Sequence, residues 1–150
     1  MNIGLSYLYV IILGIVFSLF SELIISRKQY VFKNSKDIGI QFLKLIFTNL
    51  YVYSLLVITF IFQIIGVSNA KQITSSFIGN VLLFLFLFIL ISLLECIGGK
   101  ISYSYYQKQN WNYKPRMIPF CNGYVSVVSS LYFTFFLYFY IRFIFPLLFS

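Results

Sequence analysis

The chain contains no histidine, and of its 150 residues only three are acidic and two are cysteine. Without imidazole there can be no histidine metal ligand, no histidine general base and no HExxH zinc motif. A serine nucleophile would need a base, and Glu22, Asp37 and Glu95 are the only acids that could serve. The sequence also lacks a glycine-rich loop ending in Lys-Ser/Thr, so nothing in it cradles a nucleotide phosphate. These gaps lead to the expectation of a protein that is not an enzyme, with no catalytic residues, no metal and no cofactor.

Charge is scarce as well. Charged residues make up 9% of the chain, against about 25% in an ordinary soluble domain. Hydrophobic residues make up 61%, and the mean hydropathy is +0.93. An all-α integral membrane protein follows. A crossing takes roughly 20 apolar residues, so residues 1–150 are read as a single transmembrane domain, a four-helix transmembrane bundle with spans near 3–26, 45–67, 77–97 and 123–145. It is expected in the cell (inner or plasma) membrane as a multi-pass protein. The net charge of +8 would suggest nucleic acid in a soluble protein. Here the cations sit beside apolar spans, so the expected partner is the lipid bilayer with its anionic headgroups, and not nucleic acid.

The first apolar segment has neither a charged leader nor a small-residue cleavage site, and is read as a retained helix. Gly14, Ser18 and Glu22 share one helical face at small-xxx-small spacing, which predicts close approach of a neighbouring helix. Asn49, Tyr53, Leu56 and Gln63 give the second span a thin polar stripe. Residues 68–75, SNAKQITS, have the composition of a turn joining two antiparallel spans. Gly98-Gly99 is expected to stop the third helix, residues 100–122 to form a long loop, and Pro146 to end the fourth helix.

The basic residues set the orientation. Arg27, Lys28, Lys33 and Lys36 lie in the first connection and Lys100, Lys108, Lys114 and Arg116 in the third, against only Lys71 in the second and Arg142 near the end of the fourth span. Cytoplasmic excess of Lys and Arg places the first and third loops inside and both termini outside, with Arg27, Lys28, Lys100, Lys114 and Arg116 as membrane-interface cations. Cys96 and Cys121 then fall on the reducing side and are read as packing residues. Glu22 and Glu95 come to the same depth, near the cytoplasmic ends of their helices. With Ser18 and Ser130 they form a candidate intramembrane polar site. Such acids either mark function or snorkel toward Arg27, Lys28 or Lys100. Arg142 either anchors its helix at the headgroups or caps a stripe of Ser130, Thr134 and Tyr138.

The third loop interleaves Tyr103, Tyr105, Tyr106, Trp111 and Tyr113 with its cations, as interfacial segments do. Its run NWNYKPRMIPFCNG, residues 110–123, adds two prolines and an Asn-Gly turn leading into a helix. This C-terminal segment resembles the ABC-transporter permease (type IV) family of small bacterial membrane proteins. That family shares a Glu-bearing helix, a Gly, a Trp-Asp-Tyr-Ser loop, a Pro-Phe-Asn step, a further Gly and a Ser-rich final helix. The matching positions are Glu95, Gly98 or Gly99, Trp111, Tyr113, Pro119, Phe120, Gly123 and a serine among Ser126, Ser129 and Ser130. Asn112 stands where the family has Asp and Lys114 where it has Ser, and Cys121 precedes the Gly rather than following it. The resemblance implies a permease-like or accessory component of a membrane transport complex, served by an ATPase on a separate chain. The residues by themselves also allow a membrane-acting effector, a pore-forming or immunity-type protein, which needs only apolar bulk and self-association. Transport needs a polar path, and Glu22, Glu95, Asn49, Gln63 and the serine face of the fourth helix are the groups to line it. So thin a path points to a homo-oligomer or a larger membrane complex.

Overall fold

The protein's structure, a computed structural model, describes residues 2–21, 50–106 and 118–150. Glu22, Arg27, Lys28, Asn49, Trp111, Asn112, Tyr113, Lys114 and Arg116 lie outside the described residues. Within them the chain is mostly helical: α1 (Ile3–Ser21), α2 (Leu50–Ile65), α3 (Val67–Ser75) and α4 (Phe77–Tyr106) are followed by a short hairpin and a last helical stretch. The hairpin pairs β1 (Pro119–Phe120) with β2 (Val125–Ser126) across a tight turn, Cys121–Gly123. The last stretch comprises α5 (Val127–Phe139), a π-helical segment (Tyr140–Ile144) and α6 (Phe145–Phe149). Two helices, Phe77–Ile101 and Val127–Phe149, are long and apolar enough to cross a membrane, and α2 with α3 makes a third if that bent pair is one span. On α4 the large side chains of Leu82, Leu85, Ile89 and Leu93 point outward, as a surface in contact with hydrocarbon would.

α1 and α2 pack antiparallel. A methyl group at Gly14 would come within 2.9 Å of the Val52 Cα, so the missing side chain sets the helix separation. Ser18 is buried on the same face, as its spacing from Gly14 predicts. At the far end of the pair the Tyr7 hydroxyl donates to Gln63 Oε1 at 2.6 Å. The rest of the expected polar stripe is displaced: Tyr53 is exposed, while Ser54 and Thr59 are buried. Leu55, Ile58 and Phe62 carry the inward face, and that rotation brings the two hydroxyl residues in with them. Phe17 ties these helices to α5, its ring stacked on Phe136 with centroids 3.5 Å apart, and Tyr51 meets Phe133 edge-on at 4.4 Å.

Three expected breaks are helical. Residues 68–75 form α3 rather than a turn. The true break is Gly66, whose φ of 89° suits glycine alone, and α3 leaves α2 at 98°. The polar residues that suggested a loop bond back to the helix instead: Thr74 Oγ1 donates to the Ala70 carbonyl at 3.1 Å, Ser75 Oγ to Gln72 at 2.7 Å, and Asn69 Nδ2 to the Ile65 carbonyl left open at the end of α2. Ser76 then caps α4, its Oγ accepting from the Gly79 N–H at 3.0 Å.

Gly98-Gly99 does not stop α4, which continues to Tyr106. Gly99 is instead the seat for the buried Tyr124 ring, which fills the space a β-carbon would need. Pro146 likewise lies inside the last helical stretch. The π-helical segment ahead of it shifts the bonding register, so that the Phe145 N–H reaches the Tyr140 carbonyl five residues back. This local widening accommodates a ring that would otherwise collide with the preceding turn.

Candidate functional site

The C-terminal part of α4, the hairpin and the start of α5 form one unit. Ser126 ends β2 in an extended conformation and caps α5, its hydroxyl accepting the Ser129 N–H at 3.3 Å. Ser129 and Ser130 therefore stand in the first turn of α5, facing α4. The Ser130 hydroxyl donates to Glu95 Oε2 at 3.1 Å, and the Ser129 hydroxyl bonds to the same carboxyl. Glu95 is 3% exposed, so it does not snorkel, while Lys100 one turn further on is exposed. A carboxyl at a helix N-terminus also faces the positive end of the helix dipole.

Glu95 and Ser130, predicted as part of one polar site, are thus in direct contact. Ser18 is buried on α1 but is not among the groups bonded to Glu95. Of the loop positions, Pro119 and Phe120 are exposed in β1, and Gly123 closes the turn beneath them at φ 86°. The expectation that Cys96 and Cys121 are free packing thiols is overturned, because they form a disulfide with Cα atoms 5.9 Å apart. The bond fastens the hairpin turn to α4 at the residue next to Glu95. Sequence spacing gave no sign of it, since 25 residues separate the two, and their proximity depends on α4 continuing past the glycines and on the hairpin folding back.

From this unit, buried hydroxyls follow the interior toward the opposite end of the helices. Thr134 Oγ1 donates to the Ser130 carbonyl at 2.7 Å, and Thr59 Oγ1 and the Tyr140 hydroxyl are 2.6 Å apart. Tyr7 and Gln63 come last, and Gln63 lines a cleft of about 380 Å³ with Ile3, Val67, Phe145 and Leu148. Ser54 and Ser92 are buried in the same interior, and neither hydroxyl has a hydrogen-bond partner among the described residues. Sequence reasoning missed Ser92, Thr59, Tyr7 and Tyr140 as inward polar groups. Ser92 was within reach of it, three residues before Glu95 on one helical face.

Outside this interior, Arg142 donates to the Tyr138 hydroxyl at 2.7 Å, and Tyr138 in turn donates to Asn80 Oδ1 at 2.8 Å. Arg142 therefore extends a link between α5 and α4 from an exposed position, bonded to Tyr138, the outer member of the expected stripe. Among the described residues, no three of His, Cys, Asp or Glu come together as metal ligands. No family model, curated protein or solved structure matches this chain.

Proposed function

We propose that the protein is a permease-like component of a membrane transport complex, with Glu95, Ser129 and Ser130 as the polar site on its path. The observation that carries this reading is the buried carboxyl bonded to two serines at one end of an interior that holds unpaired hydroxyls. A buried polar group without a partner costs about 1–3 kcal/mol, and alanine would give the same close helix approach without that cost, so the hydroxyls of Ser54 and Ser92 favour a use beyond packing. An effector or pore former that acts through apolar bulk places no demand on such groups.

In this reading α1, α2, α4 and the α5–α6 stretch are four crossings of the cell membrane. The 19 residues of α1 reach about 28 Å at 1.5 Å per residue, close to the hydrocarbon thickness of about 30 Å. α3, turned nearly square to α2 and exposing Lys71 and Gln72, lies along the outer interface. The Glu95 end faces the cytoplasm, beside the basic loops. The resemblance of the C-terminal segment to ABC-transporter permeases supports a separate ATPase chain as partner, and the narrow interior supports a homo-oligomer or larger complex.

A path across the membrane requires its two ends on opposite sides. In a chain with Cys96→Ser and Cys121→Ser, a membrane-impermeant maleimide added to intact cells should label Lys71→Cys and leave Lys100→Cys unlabelled until the cells are opened. Labelling of both from outside would refute the crossing.

A further inference from the structure

Charge and covalent structure point to different compartments for one end of this protein. The basic residues put the C-terminal end of α4 in the cytoplasm, yet Cys96 on that helix is bonded to Cys121. Stable structural disulfides belong to oxidising compartments, and those of the mesophile cytosol are transient and are catalytic or redox-sensing. We infer that Cys96–Cys121 is a thiol-exchange site on the cytoplasmic face, cycling between disulfide and dithiol by reaction with small thiols of the glutathione class. The inference rests on the orientation proposed above.

The geometry suits exchange. Cys121 is partly exposed in a turn whose neighbours Phe120 and Asn122 are exposed, so the turn that carries it lies at the surface. Its partner Cys96 is on α4 beside buried Glu95. A Cα separation of 5.9 Å is within the range that closes a disulfide without moving the backbone. Cys121 and Asn122 both hold left-handed backbone, φ 51° and 59°; asparagine takes it readily, whereas a cysteine is held there by its surroundings. Besides the disulfide, the turn is held by two residue pairs, Pro119 with Ser126 and Phe120 with Val125, and by the Tyr124 N–H on the Cys121 carbonyl and the Val127 N–H on the Ile118 carbonyl, each at 3.1 Å. Breaking the bond therefore lets the turn relax, while Ser126 can still cap α5.

In the reductive direction a thiolate attacks Cys121 Sγ, forming a mixed disulfide, and Cys96 leaves as a thiolate that takes a proton from water. A second thiol then attacks the small-molecule sulfur of that mixed disulfide, which releases Cys121 as a thiolate to be protonated and forms the small-molecule disulfide. Two thiols supply the two electrons and two protons. The small-molecule disulfide reverses the sequence.

The test uses the full chain in inside-out membrane vesicles equilibrated with reduced and oxidised glutathione. Thiols are then trapped with a polyethylene-glycol maleimide and counted by gel shift. The dithiol-to-disulfide ratio should follow the glutathione couple, changing about tenfold for each tenfold change in the couple's reaction quotient. Cys96→Ser should carry one glutathione on Cys121 by mass spectrometry under oxidising mixtures. A pair that stays fully oxidised, or fully reduced, across the whole range overturns the site. Sidedness is read separately at Lys100→Cys. If Lys100 is inside and the pair is static, the site alone fails; if Lys100 is outside, the orientation fails and the site with it.

Discussion

Replacing Glu95 by alanine should destabilise the detergent-solubilised protein by about 1–3 kcal/mol, whereas glutamine should cost less than about 1 kcal/mol. Alanine leaves the Ser129 and Ser130 hydroxyls without their buried partner. Hydrogen bonds between membrane helices average only about 0.6 kcal/mol, with a maximum near 1.7, because side chains also find partners in the unfolded state within the bilayer. Ser130 can turn back onto its own helix, which keeps the cost at this modest level. Glutamine fills the same volume and can still accept from both hydroxyls, losing mainly the attraction to the start of α5. Thermal aggregation of the two variants in detergent would order them. Equal stability of both with the parent would show that the carboxyl does not hold α4 to α5.

Gly99→Ala should destabilise by about 1–3 kcal/mol, although alanine in a helix is ordinarily preferred over glycine by about 0.5–1 kcal/mol. The sign reverses because the new β-carbon would overlap the Tyr124 ring and lie 2.8 Å from the Tyr124 Cβ. Moving the ring tip is not enough, since the near end of the side chain is also in the way and the hairpin backbone must shift. Gly98→Ala is the control. Its β-carbon would meet Leu50 Cδ1 at 3.5 Å, an ordinary contact, so that variant should be neutral or stabilising. Similar melting temperatures for the two variants would contradict the packing described for Gly99.

The membrane-helical character and the grouping of Glu95 with Ser130 were legible in the sequence, because an acid within an apolar run must find polar company. Gly14 and Gln63 were legible for the same kind of reason, through their spacing on a helix. What misled were residues with two uses. Glycine ends helices but also lets a ring pack against the helix backbone, as Gly99 does for Tyr124. Proline breaks a helix unless the turn before it widens, as it does at Tyr140–Ile144. The serines and threonines of α3 look like a loop until their hydroxyls are seen bonded to the helix carbonyls. The Cys96–Cys121 bond could not be read, since it depends on where a hairpin folds rather than on local pattern.

The central claim, that the interior beside Glu95 is a polar path, is tested most directly by a method that needs no knowledge of the substrate. Single cysteines are placed at Ser54, Thr59, Ser92 and Ser130 in the Cys96→Ser/Cys121→Ser chain, with Leu85 and Ile89 as outward-facing controls, and are exposed in membranes to a small charged methanethiosulfonate. A path predicts reaction at the interior hydroxyl positions and none at Leu85 or Ile89. Protection of all four interior positions would show a dry, static core and contradict the proposal.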